Sequence, residues 1–253
     1  MKPLQGKVAL VTGVGRRQGI GYAICRALAQ HGADVFYTYW REYDKKLNFI
    51  GSEVDPEEYI AEFKDLGVRA ACAEIDLSQT EAPSVLFERV TKELGIPDIL
   101  VNNACVSTAQ PFTEVNAELL DAHYAVNMRA PVLLCKEFVR NFNKKTGGKI
   151  VNMTSGQSLG VMTQEVPYTI TKAGLEMLTL QLSFELREQG ITLNAVDPGP
   201  TDTGWMTGEL KELVAKQSSK GTVNSPDDAA SLVLSFIHGD KEAVTGSVVH
   251  AER

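Results

Sequence analysis

Residues 7–21 read KVALVTGVGRRQGIG, and the fold turns on this stretch. Lys7 to Thr12 is a short, β-branched apolar run that suits a strand buried on both faces. The loop Thr12-Gly13-Val14-Gly15-Arg16-Arg17-Gln18-Gly19-Ile20-Gly21 follows. Gly21 to His31 then places Ala23, Ile24, Ala27 and Leu28 on one helical face, and Gly32 closes the helix. Strand, glycine-rich turn and helix N-terminus in that order make a cradle for a diphosphate. Glycines let the backbone approach the phosphates, and the helix end favours their charge. Glycines alone would equally make a tight turn; their place between strand and helix raises the nucleotide reading.

Outward from this unit, strands and helices alternate. Further strands are predicted over Asp34 to Tyr39, Arg69 to Ile75, Asp98 to Asn102, Gly148 to Thr154, Ile191 to Val196 and Gly246 to His250. Helices are predicted over Pro56 to Leu66, Ala82 to Leu94 and Pro167 to Gln189. A long helix capped by Asn116 runs toward Phe142 with a kink at Pro131, and Ser225-Pro226-Asp227-Asp228 opens a last one. No Pro/Gly/Ser-rich linker divides the chain, which reads as one domain over residues 1–253. The alternation predicts an α/β fold: a doubly wound, parallel, seven-stranded sheet with helices on both faces. Ligands in such sheets bind beyond the carboxyl ends of the strands. Thr12, Asp76, Asn102 and Ser155 all fall at or just past predicted strand ends.

The 253 residues are 43% hydrophobic and 23% charged, with a net charge of -7. An acidic chain argues against nucleic acid or an anionic membrane as the main partner. No apolar run approaches the roughly 18 residues of a membrane span, and the N-terminus lacks an apolar signal core, so a cytoplasmic location is expected. Cys25, Cys72, Cys105 and Cys135 form no Cys-x-x-Cys pair, which predicts reduced thiols and no metal site. The sequon at Asn152 falls inside a predicted strand and carries no expectation of a glycan.

Tyr168 and Lys172 stand four residues apart, on one face of a predicted helix. A phenol has a pKa of about 10, and bringing it to neutrality takes about 4 kcal/mol. An ammonium about 4 Å away supplies about 4 kcal/mol at an effective dielectric near 20. The pair therefore suits proton transfer, with Ser155 on the same substrate oxygen. The same spacing also arises on an ordinary amphipathic face. The second predicted strand ends Tyr37-Thr38-Tyr39-Trp40-Arg41 with no carboxylate for ribose hydroxyls. Arg41, with Arg16 or Arg17, could meet a 2′-phosphate. NADP(H) is therefore favoured and NAD(H) stays open, with solvated arginines as the alternative.

Together these motifs resemble the short-chain dehydrogenase/reductase family along nearly the whole chain. The matching pieces are the Thr12-to-Gly21 loop, Asp76-Leu77, Asn102-Asn103-Ala104, Asn127, Ser155, Tyr168-x-x-x-Lys172 and Pro198-Gly199. The resemblance implies a Rossmann sheet and a catalytic set of Asn127, Ser155, Tyr168 and Lys172. Tyr168 would exchange the proton, Lys172 would lower its pKa and hold the nicotinamide ribose, Ser155 would polarise the substrate oxygen, and Asn127 would support Lys172 through a water. It implies cofactor contacts from Gly13, Gly19, Ile20, Gly21, Asp76, Leu77, Asn102 and Ala104. Pro198, Gly199, Thr201 and Thr203 would flank the nicotinamide. It also implies a homotetramer or homodimer, formed by the helices around Asn116–Phe142 and Pro167–Gln189.

Three departures stand out. Five residues instead of three separate Gly13 from Gly19, which puts the contacts of Gly15 in doubt. Cys105 takes the usual fourth place, a glycine, after Asn102-Asn103-Ala104. The chain ends at Arg253, whereas many relatives carry a further tail toward a neighbouring subunit, so the tetramer interface is less marked.

The closest general likeness is to 3-oxoacyl-[acyl-carrier-protein] reductases, a pattern shared with many ketone, sugar and alcohol enzymes. It implies an NADPH-dependent reductase of a 3-oxoacyl thioester or similar small-molecule ketone. The alternatives are an NAD-dependent alcohol or sugar dehydrogenase and a catalytically silent nucleotide sensor. A lid from Trp205 and Met206 to about Thr222 would wall the substrate on one side, and Gln157, Val161, Met162 and Gln164 on the other. Trp205 would alternatively pack into the core or a subunit contact.

Overall fold

A computed structural model describes residues 2–47, 55–238 and 244–251. Its strands are β1 (Val8–Val11), β2 (Asp34–Tyr39), β3 (Ala70–Glu74), β4 (Ile99–Asn102), β5 (Gly148–Met153), β6 (Ile191–Asp197) and β7 (Val248–His250). They form one parallel sheet in the order β3-β2-β1-β4-β5-β6-β7. The helices are α1 (Ile20–Gln30), α2 (Arg41–Leu47), α3 (Tyr59–Asp65), α4 (Ala82–Glu93), α5 (Ala117–Tyr124), α6 (Ala130–Asn141), α7 (Val166–Arg187), α8 (Gly208–Gln217) and α9 (Pro226–Ile237). This is the doubly wound, seven-stranded sheet the alternation predicts.

Both faces of the sheet are covered, because neighbouring residues of one strand point to opposite cores. Ala9 and Val11 of β1 pack with α1, α3 and α9 through Ile24, Leu28, Phe63 and Val233. Val8 and Leu10 pack with α4 and α6 through Leu86, Val90, Leu134 and Phe138. The chain leaves β3 through α4 and returns beside β1 as β4, so strand order reverses between β1 and β4. That reversal opens the crevice where such sheets bind ligands.

Several local differences from the sequence reading have physical causes. The predicted helix over 56–66 is a 3₁₀ turn at Pro56–Glu58 followed by α3. The long helix from Asn116 is capped as expected, with Oδ1 accepting from Leu119 N–H at 2.9 Å. Its middle is a π-turn at Ala125–Arg129, just before Pro131. Proline has no N–H to give the carbonyl of Asn127 four residues back, so the helix is relaxed where that residue sits. The lid region contains α8, capped by Thr207. Ser225 and Asp228 form a reciprocal capping box at α9. Asn152 of the sequon is fully buried in β5. Among the described residues, no helix is long and apolar enough to cross a membrane. Arg253 lies outside the described residues.

Candidate active site

The glycine loop is tied to the tip of β4. Thr12 Oγ1 accepts from the N–H groups of Asn103 and Ala104 at 3.0 and 3.1 Å. Asn103 Nδ2 donates to the carbonyls of Thr12 and Gly13 at 2.8 and 2.9 Å. Gly13 has φ +74, and a Cβ there would stand 2.6 Å from Ala104 Cα, so only glycine lets the two turns meet. Gly19 precedes α1 without a side-chain cap, and the first turn carries no acidic residue. Ile20 and Gly21 thus open a helix whose N–H groups can receive an anion. These features fit a dinucleotide diphosphate.

The three arginines are less free than the sequence suggests. Arg16 donates to the Thr203 carbonyl at 2.8 Å and lies 3.6 Å from Asp44. Burial pulls its guanidinium below the ordinary value. Arg17 forms a two-pronged pair with Glu62 of α3 and lies over the rings of Tyr22 and Tyr59. Arg41 pairs with Glu74, Asp55 and Glu57 and covers the Tyr39 ring. Gly15 receives Asp44 so closely that a Cβ would stand 1.9 Å from its Oδ2. Helix α2, absent from the sequence reading, brings Asp44 there. It also brings Tyr43, whose hydroxyl accepts from Ser107 N–H at 3.1 Å.

Asp76 closes its own turn, accepting from Ser78 N–H and Gln79 Nε2, each at 2.9 Å. Leu77 is buried against α4. Asn102 Nδ2 donates to Asn152 Oδ1 at 2.8 Å, and Asn152 Nδ2 donates to Thr179 Oγ1 at 3.0 Å, which locks β4, β5 and α7 together.

The structure brings the four catalytic candidates to the carboxyl end of the sheet. Ser155 stands two residues past the end of β5 and acts on the Tyr168 phenol, pulling its pKa down. Tyr168 and Lys172 share α7, with Nζ 5.5 Å from the phenol ring centroid. Lys172 is 3% exposed and donates to the Met153 carbonyl at 2.7 Å. Asn127 clamps the backbone of Val106 in both directions, at 2.7 and 2.8 Å. Its Nδ2 also donates to Thr171 Oγ1 at 3.1 Å, and Thr171 Oγ1 donates to the Tyr168 carbonyl at 2.8 Å. Asn127 therefore fastens the rim after β4 to the helix that carries Tyr168.

The electrostatics differ from the simple ion-pair expectation. Burial holds the Tyr168 phenol well above its ordinary value, and the bond to Ser155 pulls it back. Burial also holds the Lys172 ammonium below its ordinary value. Within these residues, Ser155 provides the local downward pull and Lys172 sits beside the ring. Glu165, one turn before Tyr168, carries a carboxyl raised by burial. It raises the phenol further, and the sequence reading did not single it out.

The turn after β6 stands beside the one after β5, because the two strands pair in parallel. Gly199 has φ +63, and Asn224 Nδ2 donates to the Pro198 carbonyl at 3.1 Å. Thr201 Oγ1 donates back to Pro198 and Gly199 carbonyls at 3.2 and 3.1 Å. Trp205 is 46% exposed, with its indole N–H on the Thr201 carbonyl at 3.0 Å, so it is not a core residue. Met206 is half-buried, Met162 and Val161 are exposed, and Gln164 adopts φ +70. The Gln157 side chain lies outside the described part of the structure. Asp197 and His250 meet here as well, a pairing the sequence reading missed.

A parallel sheet with a glycine cradle at its switch point and a Ser, Tyr, Lys set at its carboxyl end defines a class of nucleotide-dependent oxidoreductases. A family model described as short chain dehydrogenase matches residues 7–213, and the chain belongs to that family. The uncharacterized oxidoreductase YjdA of Bacillus subtilis (strain 168) is 41% identical, covering 100% of this chain and 98% of its own. The 3-oxoacyl-[acyl-carrier-protein] reductase FabG of Aquifex aeolicus (strain VF5) is 32% identical over 98% of this chain and 96% of its own. A short chain dehydrogenase from Burkholderia cenocepacia J2315, solved in complex with NADP, superposes with a TM-score of 0.87. It is 30% identical and covers 99% of this chain and 98% of its own.

Proposed function

We propose that this protein reduces a carbonyl to a secondary alcohol with NADP(H), on a 3-oxoacyl thioester or a similar ketone. The observation that carries the reading is the gathering of Ser155 and the buried Lys172 about Tyr168: Ser155 pulls the phenol down, and Lys172 Nζ stands 5.5 Å from its ring centroid. The bound dinucleotide supplies the hydride. Ser155 and Tyr168 hold the carbonyl oxygen between their hydroxyls. The phenol proton moves onto that oxygen as negative charge develops. Lys172 places a positive charge under the ring, and Asn127 keeps α7 in register with the rim through Val106 and Thr171. Gly13, Gly19, Ile20, Gly21 and Ala104 form the diphosphate cradle, with Asp76, Leu77 and Asn102 along the groove. Pro198, Gly199, Thr201 and Thr203 form its nicotinamide side. Met162, Trp205 and Met206 border the substrate side.

NADP(H) is favoured over NAD(H) by the absence of a carboxylate at the tip of β2, and by the likeness to a chain solved with NADP. A 2′-phosphate would take Arg41 from its three acidic partners. Arg41→Ala is therefore expected to weaken NADPH roughly tenfold more than NADH in fluorescence titrations. Equal weakening of both would reject this reading of the arginine.

The class is tested by oxidation of NADPH and of NADH across 3-oxoacyl thioesters, simple ketones and sugars. Turnover of ketones with NADPH is the expected result. NAD-driven oxidation of alcohols or sugars would instead support the dehydrogenase reading. Binding without turnover on every compound would support a sensor.

The proposed assembly is a homodimer or homotetramer. Ile170, Met177, Leu180 and Phe184 make an exposed apolar stripe on α7 beside Leu120 and Tyr124 of α5, and Phe184 is 83% exposed. A patch of this kind marks an interface. Phe184→Glu is expected to yield a smaller species by sedimentation velocity, and an unchanged mass would place the interface elsewhere.

A further inference from the structure

Helix α2 leaves the tip of β2 with the sequence Arg41-Glu-Tyr-Asp-Lys-Lys-Leu. From Arg41 to Lys46 none of its side chains is fully buried. Its first residue is the anchor: the Arg41 backbone N–H donates to Glu74 at 3.2 Å, and its guanidinium donates to Asp55 at 2.8 and 3.0 Å. From that anchor α2 reaches both walls of the nucleotide groove. The Tyr43 hydroxyl accepts from Ser107 N–H at 3.1 Å, next to Val106, which Asn127 clamps. On the other wall Asp44 Oδ1 lies 3.6 Å from Arg16 Nε in the glycine loop. Its Oδ2 presses on the bare backbone of residue 15, where a Cβ would stand 1.9 Å away.

The glycine loop is thus met by an anion of the chain's own. A side chain at position 15 would push the carboxylate aside, so Gly15 makes room for Asp44. That is a purpose separate from the close approach of a phosphate. A dinucleotide brings its own negative groups to the same loop, and two like charges cannot share one place cheaply. The contacts that hold α2 across the groove are polar and half-buried. Segments with few buried apolar contacts open at low free-energy cost.

We propose that α2 is a strap that competes with the dinucleotide: Asp44 holds the anion position at Gly15 and Arg16, Tyr43 fastens the strap to the rim after β4, and incoming phosphates displace both. The proposal rests on the dinucleotide reading above. Only the fraction of molecules with the strap lifted binds, so apparent affinity is lowered by that fraction. Weakening either fastening raises the fraction and with it the affinity.

The test is fluorescence titration of wild type, Asp44→Asn and Tyr43→Phe with NADPH and with NADH, together with stopped-flow association rates and thermal melts. Asp44→Asn keeps the shape of the side chain and removes its charge. Tyr43→Phe keeps the ring and removes the acceptor for Ser107 N–H. The two fastenings are separate, so either variant carries the test if the other fails to fold. Each folded variant is expected to bind NADPH about tenfold more tightly, equivalent to about 1.4 kcal/mol, to associate with it faster, and to shift NADH in the same direction. Weaker binding in Asp44→Asn would make Asp44 a ligand of the dinucleotide and overturn the strap. Affinities and association rates that match wild type would overturn it as well, and both results leave the dinucleotide reading standing. Failure of wild type and both folded variants to bind either nucleotide would overturn the dinucleotide reading, and this proposal with it.

Discussion

Tyr168→Phe is expected to lower kcat for carbonyl reduction by about a thousandfold while dinucleotide affinity and Tm stay close to wild type. The ring keeps its place on α7, and only the phenol hydroxyl is lost. Positioned proton transfer is worth roughly 10²–10⁴ in rate, and here the oxygen also loses one of its two hydrogen-bond partners. The pH profile sharpens the test. Burial holds the phenol above its ordinary value, so it stays protonated through neutral pH and is ready to donate in reduction. The reverse reaction needs the phenolate, so alcohol oxidation should gain rate toward alkaline pH in the wild type. That dependence should vanish in the variant. Steady-state rates in both directions from pH 6 to 10 check it, and a variant that still turns over at near wild-type rate would remove Tyr168 from the mechanism.

The sheet is readable from residues alone because each strand is a short apolar run closed by its own turn. Val8–Val11, Asp34–Tyr39 and Gly148–Met153 fall within about a residue of their expected limits. Helix α2 is hidden because Arg41-Glu-Tyr-Asp-Lys-Lys-Leu carries no apolar period, and its place is set by Tyr43 and Asp44 reaching across the groove. The π-turn at Ala125–Arg129 is hidden for a related reason: one extra residue in a turn barely disturbs a helical pattern.

The site divides in the same way. Ser155, Tyr168 and Lys172 are legible because their chemistry and spacing are local or sit at a strand end. The partners that decide what each charge does come from distant segments. Glu62 of α3 comes to Arg17, Thr203 of the loop after β6 comes to Arg16, and strand register brings His250 to Asp197. Sequence reading therefore supplies the candidate groups. Their electrostatic setting needs the fold.

Lys172→Met is expected to separate catalysis from stability. The methionine side chain has nearly the volume of the lysine it replaces, so packing beneath Tyr168 is kept. The variant removes a buried ammonium whose desolvation the fold tolerates, and it leaves the Met153 carbonyl without that donor. The lost hydrogen bond costs about 1–3 kcal/mol, whereas an ion held out of water costs several. The second term is larger, so Tm should equal or exceed that of the wild type. The sign of the pH dependence follows from linkage. Burial lowers the folded-state pKa of Lys172 below its unfolded value. Between those two values the unfolded chain binds more protons, so this group's contribution to stability improves as pH rises across that interval. Below it the full penalty is present, and the gain from methionine should be greatest there. On the proposed reading activity should move oppositely, falling by about 10²–10³, because the positive charge beside the Tyr168 ring is lost. Paired thermal melts and pH–rate profiles decide it: a variant that melts well below wild type would make the ammonium a structural tie, and one with an unaltered pH–rate profile would show that Tyr168 works without it.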